Sequence, residues 1–168
     1  MDRKSFIKTG IAGGLGLSLA PSIATAMEQS DKEPLKIAMV KEFVIAGHFN
    51  LDKVKNMLED YPNLIYSRYD WGNGDFEEAI EGAAHKGNKE IANYLIEKGA
   101  RVNLFALTML GKTTLVKPIL EAYPNLIFSK GAHGLTLLHH AEIGGKESEE
   151  LFNFLQTKGL TKKQIKLN

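Results

Sequence analysis

Two segments of the chain carry residues arranged as in known binding loops. Gly111–Thr114 (GKTT) could end a phosphate-binding loop, but that motif needs a glycine where Ala106 stands and a strand before it. Asp70–Glu81 (DWGNGDFEEAIE) has the acidic ends of a calcium loop, but Gly72 and Gly74 occupy the third and fifth positions, which must supply oxygen ligands. The sequence therefore predicts neither a nucleotide site nor a calcium site. We expect Thr113 or Thr114, and Asp75, to cap the helices that follow them.

Histidines form the other group of candidate ligands. His139 and Glu142 are three residues apart in the segment HHAE and could share a helix face, with His133 a short distance upstream. No histidine or carboxylate lies four residues after either histidine of this segment, where a second ligand on the same face would be expected. We therefore expect structural histidines, no metal and no cofactor.

No arrangement of residues predicts catalysis. A Ser/His/Asp set cannot be assembled from the sequence, and the chain has no cysteine. The carboxylates of Glu77, Glu78 and Glu81 are typical of a solvated face and of the first turn of a helix, where the dipole favours acids. We expect no catalytic residues and a protein that is not an enzyme.

Charge is balanced, with 21 Lys and Arg against 20 Asp and Glu in 168 residues. This composition gives no basic surface for nucleic acid or for an anionic membrane. The length suggests one folded domain.

The first 26 residues have a different composition. A basic start (MDRKSFIK) is followed by an uncharged, glycine-rich segment that ends in Ala24-Thr25-Ala26, the small-x-small pattern of a signal-peptidase site. The start resembles the twin-arginine export motif, with Lys4 in place of the second arginine, and ordinary Sec export is the alternative. The glycines make it a poor membrane anchor. We expect a bacterial protein exported to the periplasm or cell envelope.

An internal repeat organises the rest of the chain. Two octapeptides, Tyr61–Arg68 (YPNLIYSR) and Tyr123–Lys130 (YPNLIFSK), match at six of eight positions. Four segments with apolar residues at i, i+3 and i+4 are each preceded by a shorter helical pattern, and they are VKNML, IANYL, VKPIL and LFNFL. The pattern predicts helix, turn, helix and loop, four times over.

The second unit, Glu77–Asn103, resembles an ankyrin repeat. Its Ala-Ala-x-x-Gly segment and its Gly-Ala-x-Val-Asn ending match that family, and Gly134–Ala141 (GLTLLHHA) resembles the family's Thr-Pro-Leu-His turn. The resemblance implies that His139 bonds within that turn, toward Thr136. It also implies an all-α solenoid of about four helix-turn-helix units with loop or hairpin fingers.

The expected organisation follows from the signal and the repeat. Residues 1–26 are the signal peptide, 27–36 a short linker, 37–160 the repeat domain and 161–168 a polar tail. The four units span about 37–74, 75–102, 103–133 and 134–160. In units one and three Tyr-Pro ends the second helix, and in units two and four Lys-Gly does so. Ile65 and Ile127 then follow in extended chain, where Val102 stands in unit two, and these three are expected to pin the loops to the stack. His85 is expected to be exposed. The expected core residues are Leu58, Ile91, Leu95, Ile119, Leu120 and Leu155.

The resemblance also implies a function. Stacked ankyrin units bind partners on a concave face made by loop tips and first helices, so we expect a non-catalytic protein-protein interaction module that is monomeric alone. The expected contact residues are Arg68, Tyr69, Asp70, Trp71, His48, Phe49, His85, Lys86, Lys130, His133 and Leu135. Trp71 either projects as an interface hot spot or packs back on a neighbouring loop. The alternative functions are an enzyme or a small-ligand or metal-binding protein that uses the histidines, or an accessory protein for an exported enzyme.

Overall fold

The computed structural model describes residues 33–167, and this part of the chain is mostly helical. Its eight α-helices are α1 (Ile37–Phe49), α2 (Leu51–Asp60), α3 (Ala79–His85), α4 (Lys89–Glu97), α5 (Leu104–Met109), α6 (Thr113–Ala122), α7 (Leu137–Ile143) and α8 (Glu149–Thr157). None of these helices is long and apolar enough to cross a membrane. The expected signal peptide lies outside the described residues.

The helices come in four pairs, each joined by a short turn. Asn50 and Asn88 begin the second helices of the first two pairs, and each side chain accepts the backbone N–H three residues ahead. These bonds satisfy amides that the helix itself leaves without partners. The N-cap residue of α6 is Lys112, whose side chain makes no capping bond, so the expected threonine cap is not formed.

The first helices of the pairs pack on one another in chain order. Helix α1 contacts α3, α3 contacts α5, and α5 contacts α7. Glycine permits the approach of α1 to α3, because a Cβ added to Gly47 of α1 would collide with the carbonyl oxygen of Ala79 in α3. The apolar core beneath includes the fully buried Leu95 and Leu155 of the second helices.

The helix stops follow the predicted alternation. Gly99 and Gly159 take left-handed backbone, with φ of 92° and 89°, one residue after the C-cap lysines of α4 and α8. After the two Tyr-Pro stops, however, the chain forms 3₁₀ helices at Pro62–Tyr66 and Pro124–Phe128 and does not run extended. A proline with fixed φ suits the first turn of such a helix.

Three burial predictions have different outcomes. Ile65 and Ile127 are buried as expected, but Val102 is 41% exposed. Ile119, which was predicted to be in the core, is 36% exposed because it lies on the outer side of α6. His85, which was predicted to be exposed, is only 5% exposed because the hairpin and His133 cover it.

A β-hairpin forms the finger between the first two helix pairs. Strands β1 (Arg68–Asp70) and β2 (Phe76–Glu78) pair antiparallel, and Arg68 lies opposite Glu78. The turn between them includes Gly72, Asn73 and Gly74, all with positive φ.

The tail after α8 is paired with the fourth unit. The amide of Thr136 donates to the carbonyl of Lys163, and the amide of Ile165 donates to that of Gly134. The side chain of Gln164 donates to the carbonyl of His133. These bonds fix the short 3₁₀ turn Ala132–Gly134, which carries His133.

Candidate functional site

Three histidines surround one buried carboxylate. His48 lies near the end of α1, His85 ends α3, His133 lies in the 3₁₀ turn before α7, and Glu77 lies in β2. Each residue offers one ligand atom, and these four atoms all lie within 4.8 Å of one another. We call these four residues the His₃Glu cluster.

Glu77 is at the centre and is completely buried. Its Oε1 lies 3.3 Å from His48 Nε2 and 3.2 Å from His85 Nδ1. Its Oε2 accepts the indole N–H of Trp71 at 2.8 Å and lies 3.5 Å from His133 Nε2. The alternation of β2 causes this position, because Phe76 points to solvent and its neighbour must then point inward.

His48 is positioned by α1 and α3. Its Nδ1 donates to the carbonyl of Val44 at 2.9 Å, one turn back in α1. Its ring lies over Gly82 of α3, where an added Cβ would come within 2.7 Å of His48 Nδ1. The missing side chain therefore makes room for the imidazole.

His133 is positioned by Asp75. Its Nδ1 lies 2.8 Å from Asp75 Oδ2, and its backbone N–H donates to Asp75 Oδ1 at 2.7 Å. The residue has a φ of 58°, which is uncommon outside glycine. We expected Asp75 to cap α3, but the N-cap residue of that helix is Glu78, which forms a capping box with Glu81.

The short distances to Glu77 do not amount to satisfied hydrogen bonds. Among the described residues, two buried side-chain atoms have no hydrogen-bond partner, and both belong to the cluster: Glu77 Oε1 and His85 Nδ1. Buried polar atoms are rarely left in this state, because each costs about 1–3 kcal/mol.

The pKa values reflect this crowding. Burial pushes the pKa of Glu77 upward, but the contacts with His48 and His85 outweigh it and hold the pKa at about 2. Burial lowers the pKa of His48, but Glu77 and the Val44 carbonyl leave it above its ordinary value. Burial lowers the pKa of His85 below its ordinary value despite Glu77. Glu77 is therefore a carboxylate at neutral pH.

Three imidazoles and one carboxylate can bind a transition-metal ion. Nitrogen and oxygen donors of this kind suit Zn²⁺ and its first-row neighbours. The same groups can also form ion pairs and hydrogen bonds with one another.

The structure brings several of the expected contact residues together. Aromatic rings follow one another from Tyr69 to Trp71 at 4.7 Å, on to His133 at 6.0 Å and on to His85 at 5.3 Å. His48 completes the series at 4.7 Å from His85. Trp71 does not project into solvent, which was one of the two alternatives expected for it. It is half-buried, and its N–H is bonded to Glu77.

The remaining expected contact residues lie around this group or are engaged elsewhere. Phe49 is 70% exposed and lines a cleft with Lys86. Arg68 pairs with Glu78, and Asp70 accepts the amide of Gly72. Lys130 and Leu135 contact the C-terminal tail, at Lys166 and Gln164 respectively.

Sequence reasoning missed the central residue. Glu77, Glu78 and Glu81 were assigned to a solvated face, but the three are 0%, 7% and 8% exposed. They lie where a strand passes into a helix, so a helical period misplaces them. No spacing signal pointed to the cluster, because its members come from different units.

The histidine pair of α7 also differs from expectation. His140 Nδ1 donates to the carbonyl of Thr136, the bond that was assigned to His139. His139 Nε2 instead contacts the carbonyl of His85 at 3.0 Å. Adjacent side chains on a helix point in different directions, so an error of one position assigns the Thr136 contact to the wrong histidine.

No protein-family model matches this sequence, and no curated protein is significantly similar to it.

Proposed function

We propose that the chain is an exported, non-catalytic ankyrin-type repeat protein that binds another protein. The four helix pairs, the consecutive packing of the first helices and the glycine stops after α4 and α8 support the repeat assignment. Each helix pair exposes an apolar face that only its neighbours can cover, as in other repeat proteins.

One observation carries the binding proposal: two fingers that are distant in sequence form a single surface. Asp75 of the hairpin and His133 of the turn before α7 are 58 residues apart and directly bonded. The expected contact residues Tyr69 and Trp71 lie on the same surface, where Lys41 of α1 approaches both rings at 5.4 and 5.6 Å. Aromatic side chains such as Tyr69 and Trp71 are enriched at protein interfaces.

Phe49 is the best candidate for an anchor on this surface. It ends α1 directly after His48, it is 70% exposed, and Lys86 and Lys89 line the adjoining cleft. An aromatic side chain that contacts solvent when free gains most from burial in a complex. Trp71 instead supports the surface from beneath through its bond to Glu77.

The test is the affinity for a partner isolated from the exported fraction. Phe49→Ala should weaken binding by at least about tenfold, equivalent to about 1.4 kcal/mol, and leave the melting temperature almost unchanged. Phe128→Ala, at an aromatic side chain that is 52% exposed in a 3₁₀ helix, is the matched control. Equal effects of the two variants would contradict the assigned face.

Metal binding is a second candidate function, and a specific observation favours it. The unpartnered atoms of Glu77 and His85 face one another inside the His₃Glu cluster.

A further inference from the structure

We propose that the His₃Glu cluster is a binding site for one divalent transition-metal ion, with Zn²⁺ the expected occupant. The ligand atoms are His48 Nε2, Glu77 Oε1, His85 Nδ1 and His133 Nε2. The site goes beyond partner binding, and its role is structural, since four protein ligands complete a tetrahedral shell.

The first argument is the direction of the lone pairs. His48 Nδ1 and His133 Nδ1 carry the protons that bond the Val44 carbonyl and the Asp75 carboxylate. A neutral imidazole with its proton on Nδ1 has a lone pair on Nε2. Both Nε2 atoms face the carboxylate of Glu77, at 3.3 and 3.5 Å. Lone pairs that face one another in a buried site repel, and a cation between them, either a proton or a metal ion, removes that repulsion.

The second argument is the pair of buried atoms without partners. Glu77 Oε1 and His85 Nδ1 lie 3.2 Å apart, and neither has a hydrogen bond. Glu77 is fully buried and His85 is 5% exposed, so bulk water does not satisfy them. A metal ion would coordinate both atoms at once.

The third argument is size. Metal–ligand bonds of about 2.0–2.1 Å place neighbouring ligand atoms of a tetrahedral site roughly 3.3–3.4 Å apart. The Glu77 contacts to His48 and His85 already have this length, at 3.3 and 3.2 Å. All four ligand atoms lie within 4.8 Å of one another, so a small shift of the side chains would bring them to tetrahedral distances.

The fourth argument is the support behind the ligands. Metal-binding histidines usually donate their second ring N–H to a carbonyl or carboxylate, which fixes the ring and its tautomer. The Val44 carbonyl does this for His48, and the Asp75 carboxylate does it for His133. Trp71 holds Glu77 in the same way by donating to its second oxygen at 2.8 Å.

The bound ion would join parts of the chain that are far apart in sequence. It would connect α1, the hairpin, the end of α3 and the turn before α7 at one point. A cleft of about 550 Å³ reaches His133 between the hairpin tip and the C-terminal tail, and it gives the ion a route from solvent. Binding would therefore stabilise the surface on which Tyr69 and Trp71 lie.

The experiment is calorimetric titration of the full chain, stripped with a chelator, with Zn²⁺ at pH 7.5. We expect one equivalent to bind, and the melting temperature to rise with Zn²⁺ concentration, as for any ligand of the native state. Co²⁺ should bind with the visible absorption of a tetrahedral site. Ca²⁺ and Mg²⁺ should not bind, because they require mainly oxygen ligands.

Variants assign the site to these residues. His133→Ala is the main variant, because the side chain is 34% exposed and the bond from the backbone N–H of residue 133 to Asp75 is kept. Mutation of a residue that only holds a metal ligand in place lowers metal affinity by about 10- to 100-fold. Loss of the ligand His133 itself should lower Zn²⁺ affinity by more than that. Glu77→Gln keeps the shape of the side chain and should cause a similar loss. His139→Gln is the control, since His139 lies outside the cluster and glutamine can still donate to the His85 carbonyl.

Two outcomes would overturn the proposal. If the wild-type chain binds no Zn²⁺ at micromolar concentrations, the cluster is a polar network around Glu77 that needs no metal ion. If His133→Ala and Glu77→Gln bind Zn²⁺ as tightly as His139→Gln does, the ion lies elsewhere. Neither outcome affects the Phe49 test of partner binding.

Discussion

Asp75 bonds His133 at two points, through the imidazole Nδ1 at 2.8 Å and the backbone N–H at 2.7 Å. These bonds link the hairpin directly to the turn before α7. They also hold a non-glycine residue at a φ of 58°, a conformation that needs such support.

Asp75→Ala should separate the two fingers. We expect a loss of about 1.5–3 kcal/mol in the free energy of unfolding, as for a hydrogen bond to a charged group, and faster amide exchange in residues 130–136. Zn²⁺ affinity should fall by about 10- to 100-fold because His133 loses its orienting partner. Asp70→Ala, which removes only the local bond to the Gly72 amide, should change neither quantity appreciably.

Gly82→Ala should displace the ring of His48. The new methyl would lie 2.7 Å from His48 Nδ1, which is too close for an unchanged ring position. Alanine stabilises a helix by about 1 kcal/mol relative to glycine, and this gain opposes the cost of moving the ring. The free energy of unfolding should therefore change little. Side-chain ¹⁵N resonances of His48 and the Zn²⁺ titration would measure the displacement. Unchanged resonances together with wild-type affinity would show that helix α3 moves and that the His48 ring does not.

Leu95→Ala should destabilise the chain strongly. The side chain is fully buried in α4, and such truncations cost about 2–5 kcal/mol. Ile119→Ala is the control, because that side chain is 36% exposed in α6 and should cost far less. Chemical denaturation of both variants gives the comparison, and similar losses would count against the described core.

The free energy of unfolding should decrease as pH falls, because His140 is buried in its neutral form. Burial lowers the pKa of His140 to about 4, and the charges of His139 and His85 act in the same direction. The unfolded chain protonates this residue near its ordinary pKa of 6.5, while the folded chain does not. The contribution is therefore full above pH 6.5 and is lost as pH falls toward 4, by on the order of 3 kcal/mol.

His140→Gln should flatten this pH dependence. Glutamine has no titrating group and can still donate to the Thr136 carbonyl that His140 now bonds. Urea denaturation in chelator at pH 7.5 and 4.5 would compare the variant with the wild-type chain. A slope equal to that of the wild-type chain would assign the acid sensitivity to other groups.

Local pattern predicted the helices but not the site. The period of apolar residues and the glycine stops predict four helix pairs, because they depend on neighbours within one unit. The position of Glu77 depends on a two-residue period in a strand of only three residues, too short to recognise beside a helical pattern. The meeting of His48 with His133 depends on how separate units stack, which spacing along the chain does not encode. Ile119 was misplaced because α6 buries a narrower face than its apolar sequence suggests.

The pairing of the C-terminal tail with the fourth unit has a consequence for the order of assembly. Gln164 and Ile165, which bond His133 and Gly134, leave the ribosome after every member of the His₃Glu cluster. A nascent chain can thus present His48, Glu77 and His85 well before the segment that fixes His133 exists. Until then His133 depends on its two bonds to Asp75, and the tail later adds the bond from Gln164.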